Sequence, residues 1–164
     1  MKRAVFPGSF DPLTMGHLDI IERSVDLFDE IIIAVLNNPD KQPMFLPEER
    51  CEMIEQVLAD FDAKGCKLIV ESFQGLLVDY VKSRNGHAIV RGIRAISDYE
   101  YELRMALMNR RLEPEIETVF LMAAEEYSYV SSHLLKQVFT LGGRVEGLVP
   151  TLIEEKMREK LDNK

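Results

Sequence analysis

The sequence RAVFPGSFDPLTMGHLDIIERSVDLFDEIIIAVL, residues 3–36, has an apolar run at each end and a helical pattern between them. The apolar runs, residues 3–6 and 31–36, have the length and the β-branched content of buried strands. The helical pattern consists of apolar residues three or four positions apart: Leu18, Ile21, Val25 and Phe28. An order of strand, helix and strand predicts a parallel βαβ unit.

The same order recurs along the rest of the chain. Further strands are predicted at residues 67–70, 88–90 and 118–122. Two further helical faces are formed by Ile54, Leu58 and Phe61 and by Leu103, Ala106 and Leu107. Continuously apolar strands joined by helices predict an α/β fold, a Rossmann-like, doubly wound, five-stranded parallel sheet with helices on both faces. A C-terminal helical segment follows the fifth strand.

Length and composition favour one ordinary globular domain, residues 1–164, because no low-complexity linker divides the chain. No apolar run is long enough to span a bilayer and the N-terminus lacks a signal-peptide pattern, so we expect a cytoplasmic protein without a membrane partner. The net charge of −8 argues against a nucleic-acid partner. Cys51 and Cys66 have no histidine at metal-ligand spacing, which favours reduced thiols over a zinc site.

The turn at residues 8–17, GSFDPLTMGH, contains the residues of a phosphate site. Thr14 can cap the following helix, which places His17 in the first turn beside free backbone N–H groups and the hydroxyl of Ser9. Gly16 lets a ligand approach the backbone closely. The alternative is a capped helix with a surface histidine. The chain has neither the glycine triplet of a dinucleotide site nor the lysine of a P-loop.

Two arginines, Arg91 and Arg94, flank a glycine where the fourth predicted strand ends. Two guanidinium groups at that point suit the oxygens of a phosphate group. The alternative is that both are exposed arginines paired with Asp98 or Glu100.

Polar residues also follow the fifth and the second predicted strand. Ser128, Ser131 and Ser132 are more serines than one helix cap requires, and Lys41 is otherwise an ordinary loop lysine. All these groups fall at the carboxyl ends of predicted parallel strands, which is the edge where such sheets bind ligands. The sequence therefore predicts one anion-binding site at this edge.

Longer motifs around these residues resemble one enzyme family. PGSFDPLTMGH matches the (His/Thr)-x-Gly-His signature of the nucleotidyltransferase superfamily, and RGIRAISDYEYE, YSYVSSHLLK and KQPMF are more specific. With these motifs the chain resembles the bacterial phosphopantetheine adenylyltransferases over essentially its whole length. That family transfers the adenylyl group of ATP to 4′-phosphopantetheine, which gives dephospho-coenzyme A and pyrophosphate.

The resemblance implies a role for each matching residue. The catalytic residues would be His17, Lys41 and Arg91, and phosphopantetheine would be held by Ser9, Lys41, Leu77 and Arg91. The nucleotide would be bound by Ser9, Phe10, His17, Gly92, Ile93, Arg94, Glu102, Tyr127, Ser128, Tyr129, Val130, Ser131, Ser132 and His133. His133 departs from the serine or threonine that many relatives have there. The family also implies Mg²⁺ bound with ATP, a homohexamer and feedback inhibition by coenzyme A, and no metal site built from protein residues.

The expected chemistry is in-line attack by the acceptor's phosphate on the α-phosphorus of ATP. A phosphate monoester is already ionised at neutral pH, so the reaction needs positioning and charge stabilisation and neither a general base nor a covalent intermediate.

Three other functions stay open at this stage. The first is another nucleotidyltransferase, acting on nicotinate mononucleotide or a phosphorylated alcohol. The second is a nucleotide-binding sensor that has lost turnover. The third is a synthetase-like module that binds tRNA, which the acidic composition disfavours.

Overall fold

The computed structural model describes residues 1–163, apart from the side chain of Ser97. Five strands alternate with helices along the chain, and a 3₁₀ turn at Glu125–Tyr127 precedes the last two helices. The strands are β1 Arg3–Gly8, β2 Glu30–Leu36, β3 Lys67–Phe73, β4 Ala88–Ile93 and β5 Glu117–Met122. The helices are α1 Met15–Ser24, α2 Pro47–Leu58, α3 Leu77–Ser83, α4 Ile96–Leu112, α5 Ser132–Thr140 and α6 Thr151–Asp162. Within residues 1–163, every helix is too short or too polar to cross a bilayer.

The five strands form one parallel sheet in the order β3-β2-β1-β4-β5. The chain moves outward from β1 to β3 and then returns to β4 on the other side of β1. This reversal confirms the doubly wound topology, and it places the switch point between β1 and β4, where open α/β sheets bind ligands.

Side chains that alternate along the strands form two apolar cores, one on each face of the sheet. Ala4, Phe6, Ile31 and Ile33 face the first core, which α1, α2, α5 and α6 cover. Val5 and Ile32 face the second core with α3. Strands buried on both faces explain the continuously apolar runs in the sequence.

Several details of the sequence prediction are wrong. α1 ends at Ser24 and α2 at Leu58, so Val25, Phe28 and Phe61 lie beyond the helices to which the prediction assigned them. β4 continues to Ile93, so Arg91 and Gly92 lie inside the strand and not after it, because both stay paired with β5. The seven-residue helix α3 was not predicted, and it begins at Leu77.

The predicted apolar face of α4 is largely exposed. Leu103 is 37% and Leu107 is 55% exposed, and Met105, Met108 and Leu112 are also exposed large apolar residues. The side with Leu103 and Leu107 is here called the α4 face, and the other three residues lie about 100–180° around the helix from it. A helix of a monomeric domain buries its apolar side, so the α4 face is an exposed apolar surface of the kind that marks an interaction site.

Candidate active site

The turn between β1 and α1 forms a reciprocal cap at the start of the helix. The hydroxyl of Thr14 accepts the N–H of His17 at 3.2 Å, and Nδ1 of His17 accepts the N–H of Thr14 at 2.9 Å. The imidazole thus occupies the position that a glutamate or glutamine has in a common capping box. The predicted cap at Thr14 is confirmed, and His17 lies in the first turn.

This cap also fixes the protonation of His17. A backbone N–H can only donate, so Nδ1 is the acceptor and the proton lies on Nε2. Burial and the positive charges of Arg94 and Arg91 lower the pKa of His17 to about 3. The imidazole is therefore neutral near pH 7, and Nε2–H can donate a hydrogen bond without carrying a charge.

The two predicted arginines lie beside His17, and each is paired with a carboxylate. Arg91 makes a bidentate pair with the buried Glu102, with distances of 2.7 and 2.6 Å, and donates to the carbonyl of Pro7. Arg94 pairs with Asp98 at 3.1 Å and donates to the carbonyl of Val130. The pairing of Arg94 with Asp98 agrees with the alternative in which the arginines are exposed and paired with acidic residues of α4. The pair with Glu102 also fixes the orientation of the Arg91 guanidinium.

A cavity of about 410 Å³, here called the central cavity, lies at the switch point between β1 and β4. Most of the predicted site residues line it: Ser9, His17, Arg91, Gly92, Arg94, Glu102, Val130, Ser131 and Ser132. Gly16 also lines it, and Ser131 caps α5 by accepting the N–H of Leu134. The N-termini of α1 and α5 therefore both open on this cavity, which favours an anionic ligand.

A second cavity of about 450 Å³, here called the apolar cavity, adjoins the first. Leu76, Leu77, Phe73 and Met105 supply its apolar wall. It shares several residues with the central cavity, namely Pro7, Gly8, Ser9, Arg91, Tyr101 and Glu102. An elongated ligand could therefore lie in the apolar cavity and place its charged end beside Arg91.

A third cavity of about 430 Å³, here called the cationic cavity, contains the predicted Lys41. It also contains Arg50, Lys136 and Asp11, and it shares Ser9 and Ser132 with the central cavity. Ser9 lines all three cavities. The residues predicted from four separate strands thus do meet at one edge of the sheet.

Some predicted residues do not line the central cavity. Phe10 is 1% exposed and packs edge-on against His17, so only its backbone can reach a ligand, and Ile93 is likewise buried. His133 lines the cationic cavity. Tyr127, Ser128 and Tyr129 lie on the 3₁₀ turn and just after it, where the hydroxyl of Ser128 donates to the carbonyl of Glu125.

Sequence reasoning missed Asp11, Arg50 and Lys136. The carboxylate of Asp11 accepts the N–H groups of Met44 and Phe45, both at 2.9 Å, and pairs with Lys136 at 2.8 Å. It thereby fixes the loop that contains Lys41. The sequence did contain a signal for Arg50. Met53 and Ile54 follow it by three and four residues, so the spacing places all three on the same, buried side of α2.

A family model described as cytidylyltransferase-like matches residues 5–138. Curated proteins named phosphopantetheine adenylyltransferase are similar over nearly the whole chain. That of Clostridium novyi is 51% identical and covers 98% of each chain, and that of Desulfosudis oleivorans is 50% identical and covers 98% of this chain and 94% of its own.

A solved structure has the same fold at low sequence identity. It is the nicotinic acid mononucleotide adenylyltransferase of Plasmodium falciparum complexed with NaAD, with a TM-score of 0.71 and 14% identity, covering 99% of this chain and 98% of that one. This likeness concerns the architecture of the sheet and its helices.

Proposed function

Since the chain belongs to the cytidylyltransferase-like family, and within it to the phosphopantetheine adenylyltransferases, we propose that it makes dephospho-coenzyme A and pyrophosphate from ATP and 4′-phosphopantetheine. The observation that carries this proposal is the meeting of three cavities at Ser9, beside His17 and Arg91. A polar cavity for a nucleotide, an apolar cavity for an uncharged arm and cations between them suit this pair of substrates.

Each substrate has a matching cavity. ATP would lie in the central cavity, with its phosphates near His17 and the N-termini of α1 and α5. The pantetheine arm would lie against Leu76 and Leu77 in the apolar cavity. Its phosphate would then lie near Arg91 and Lys41, on either side of Ser9.

The proposed step is a direct displacement. An oxygen of the acceptor's phosphate forms a bond to the α-phosphorus of ATP, and the bond from that phosphorus to the oxygen bridging to the β-phosphate breaks. Pyrophosphate leaves with the electron pair, and no proton has to be removed. His17 would donate its Nε2–H to the oxygens that gain negative charge, and its low pKa makes it unsuited to act as a base or as a cation.

Mg²⁺ would enter with ATP. Within residues 1–163, no cluster of three or more His, Cys, Asp or Glu side chains could hold a metal ion. A site without such a cluster suits an ion that is bound mainly by triphosphate oxygens and water, as Mg²⁺ often is in nucleotide sites. Its contribution would be to neutralise charge on the phosphates.

A panel of acceptors assayed for ATP-dependent pyrophosphate release tests the proposed function. The panel contains 4′-phosphopantetheine, nicotinate mononucleotide and a phosphorylated alcohol, with Mg²⁺ and with a chelator. We expect release with phosphopantetheine and its loss with the chelator. Release with nicotinate mononucleotide alone would assign a different acceptor, and ATP binding without release from any acceptor would indicate a sensor.

We also propose that coenzyme A inhibits the enzyme by binding in the same cavities. Coenzyme A contains both an adenylyl part and a pantetheine arm, so it could occupy the central and apolar cavities at once. We expect competition with phosphopantetheine in initial-rate assays.

The exposed apolar residues of α4 support the proposed homohexamer, because five large apolar side chains on two sides of one helix are surface that neighbouring copies could cover. Light scattering should then give about six times the chain mass of 18.8 kDa.

Both cysteines are free, which fits a cytoplasmic setting where thiols stay reduced.

A further inference from the structure

Arg50 is a buried arginine without an ion-pair partner among the residues that the structure describes. Its side chain leaves α2 in the first turn and is 3% exposed. Nη1 donates to the carbonyl of Ser9 at 2.6 Å and to that of Leu36 at 3.2 Å, and Nε is buried without a hydrogen-bond partner in the described part of the chain. Arg50 therefore connects the ends of β1 and β2 underneath the point where the three cavities meet.

The surroundings of Arg50 do not balance its charge. The N-terminal end of a helix is unfavourable for a cation, and Arg50 is the fourth residue of α2. The neighbouring Glu49 is occupied by Lys160 and by the N–H of Leu46. Asp11, which lines the same cavity, already accepts two backbone N–H groups and pairs with Lys136.

A guanidinium keeps its proton at any ordinary pH, and a buried charge without an ionic partner is unfavourable. An approaching anion would offset this cost. Arg50 lines the cationic cavity with Lys41, Ser9 and Ser132, and the exposed Lys41 also has no ion-pair partner within residues 1–163. Besides Lys136, which pairs with Asp11, the cavity thus has one buried cation, Arg50, and one exposed cation, Lys41, and neither is in an ion pair in the described part of the chain.

We propose that Arg50 is a positioning residue for the phosphate group of the acceptor. It fixes the carbonyl of Ser9, so that Ser9 keeps its place at the junction of the cavities, and it supplies a permanent positive charge behind that residue. Lys41 then closes on the same phosphate from the solvent side. This inference rests on the proposed function, because it takes phosphopantetheine as the acceptor.

The test compares two ligands that differ only in the phosphate. Calorimetry measures the Kd of 4′-phosphopantetheine and of pantetheine, which has the same arm without the phosphate, for the full chain. For the wild type, the Kd of pantetheine divided by the Kd of 4′-phosphopantetheine gives the ratio by which the phosphate strengthens binding. We expect Arg50→Met to reduce that ratio about tenfold, with the Kd of pantetheine and the KM of ATP within about twofold of the wild type.

A second variant separates charge from packing. Arg50→Lys keeps the positive charge and should recover most of the ratio, to within about threefold of the wild type. Arg3→Met is the matched control, because Arg3 is a partly buried arginine paired with Glu30 at the opposite edge of the sheet. It should leave the ratio unchanged, whatever it does to thermal unfolding.

Two results would overturn the inference. One is an equal loss of affinity for both ligands in Arg50→Met, which would show a purely structural role, and the other is an unchanged ratio. If the wild type bound neither ligand, the proposed function would fail separately. The inference would then be decided with inorganic phosphate, which the wild type should bind more tightly than Arg50→Met, and equal affinities would refute it.

Discussion

Replacing His17 with alanine should lower kcat by about 10²–10³-fold and leave the KM of each substrate within about threefold. In the proposed complex the Nε2–H of His17 would face phosphate oxygens that gain negative charge only as the reaction proceeds, so its hydrogen bond would strengthen in the transition state. Loss of one such donor typically costs about 2.7–4 kcal/mol of transition-state stabilisation, which is the stated decrease. Pyrophosphate release under saturating ATP and acceptor measures it.

The substitution also removes a helix cap, and a control must account for this. Without the imidazole, the N–H of Thr14 loses its acceptor, which should cost about 1 kcal/mol and lower Tm by about 2–4 °C. His87→Ala is the matched control, because Nδ1 of His87 also accepts a backbone N–H, that of Arg3 at 3.3 Å, at the opposite edge of the sheet. It should lower stability comparably and leave kcat unchanged.

The pH dependence distinguishes a donor from a base. The second ionisation of a phosphate monoester lies near pH 6, so kcat/KM for the acceptor should fall below about that pH in the wild type and in His17→Ala alike. His17 itself should add no limb near pH 6.5, because its pKa is about 3. An acid limb that disappears in His17→Ala, or a kcat within threefold of the wild type, would refute the assignment of His17 as a neutral donor.

Three further predictions concern stability and the support of the site. Asp11→Asn leaves Lys136 without its carboxylate, so the free energy of unfolding in urea should fall by about 2–3 kcal/mol and the KM of the acceptor should rise. Gly92→Ala brings a Cβ to 2.9 Å from Cγ1 of Ile20, and the crowding should cost about 1–3 kcal/mol in the same assay. The unfolded chain protonates His17 near pH 6.5 and the folded chain only near pH 3, so stability should fall as the pH drops, by up to about 2 kcal/mol at pH 5. His17→Ala should not show that part of the loss.

The sheet could be predicted from the sequence because the central strands β1, β2 and β4 are buried on both faces and every strand includes a short apolar run. Pairing with β5 extends β4 through Arg91 to Ile93. No local pattern in the sequence indicates this extension, because a polar residue within a strand becomes favourable only beside its neighbours in the sheet. Helix α3 has seven residues, too few for a helical period to stand out. One error concerns a boundary and the other a missed helix, and neither changed the edge at which the ligand residues were placed.

The candidate site was predictable where the type of a residue by itself indicates a function, as it does for histidine and arginine. His17 follows a glycine-containing turn and Arg94 comes directly after β4, and the structure brings them to one cavity. The roles of Asp11 and Arg50 depend on contacts with residues far along the chain, such as Lys136 for Asp11, and such contacts arise only when α2 and α5 pack on the sheet.

The placement of charge around the site explains how an acidic chain can gather two anionic substrates. Carboxylates neutralise Arg91, Arg94 and Lys136, which limits their repulsion in the empty site, yet each guanidinium keeps a fixed orientation. Burial, together with the charges of Arg94 and Arg91, lowers the pKa of His17, so the imidazole stays neutral and adds no positive charge that would hold back an anionic product. Among the described residues, the two cations that line these cavities without an ion pair are Arg50 and Lys41, and both lie in the cationic cavity, beside the position proposed for the acceptor's phosphate. Affinity for that phosphate and stabilisation of the transition state then depend on different residues, which is why substitutions at Arg50 and at His17 should change different kinetic constants.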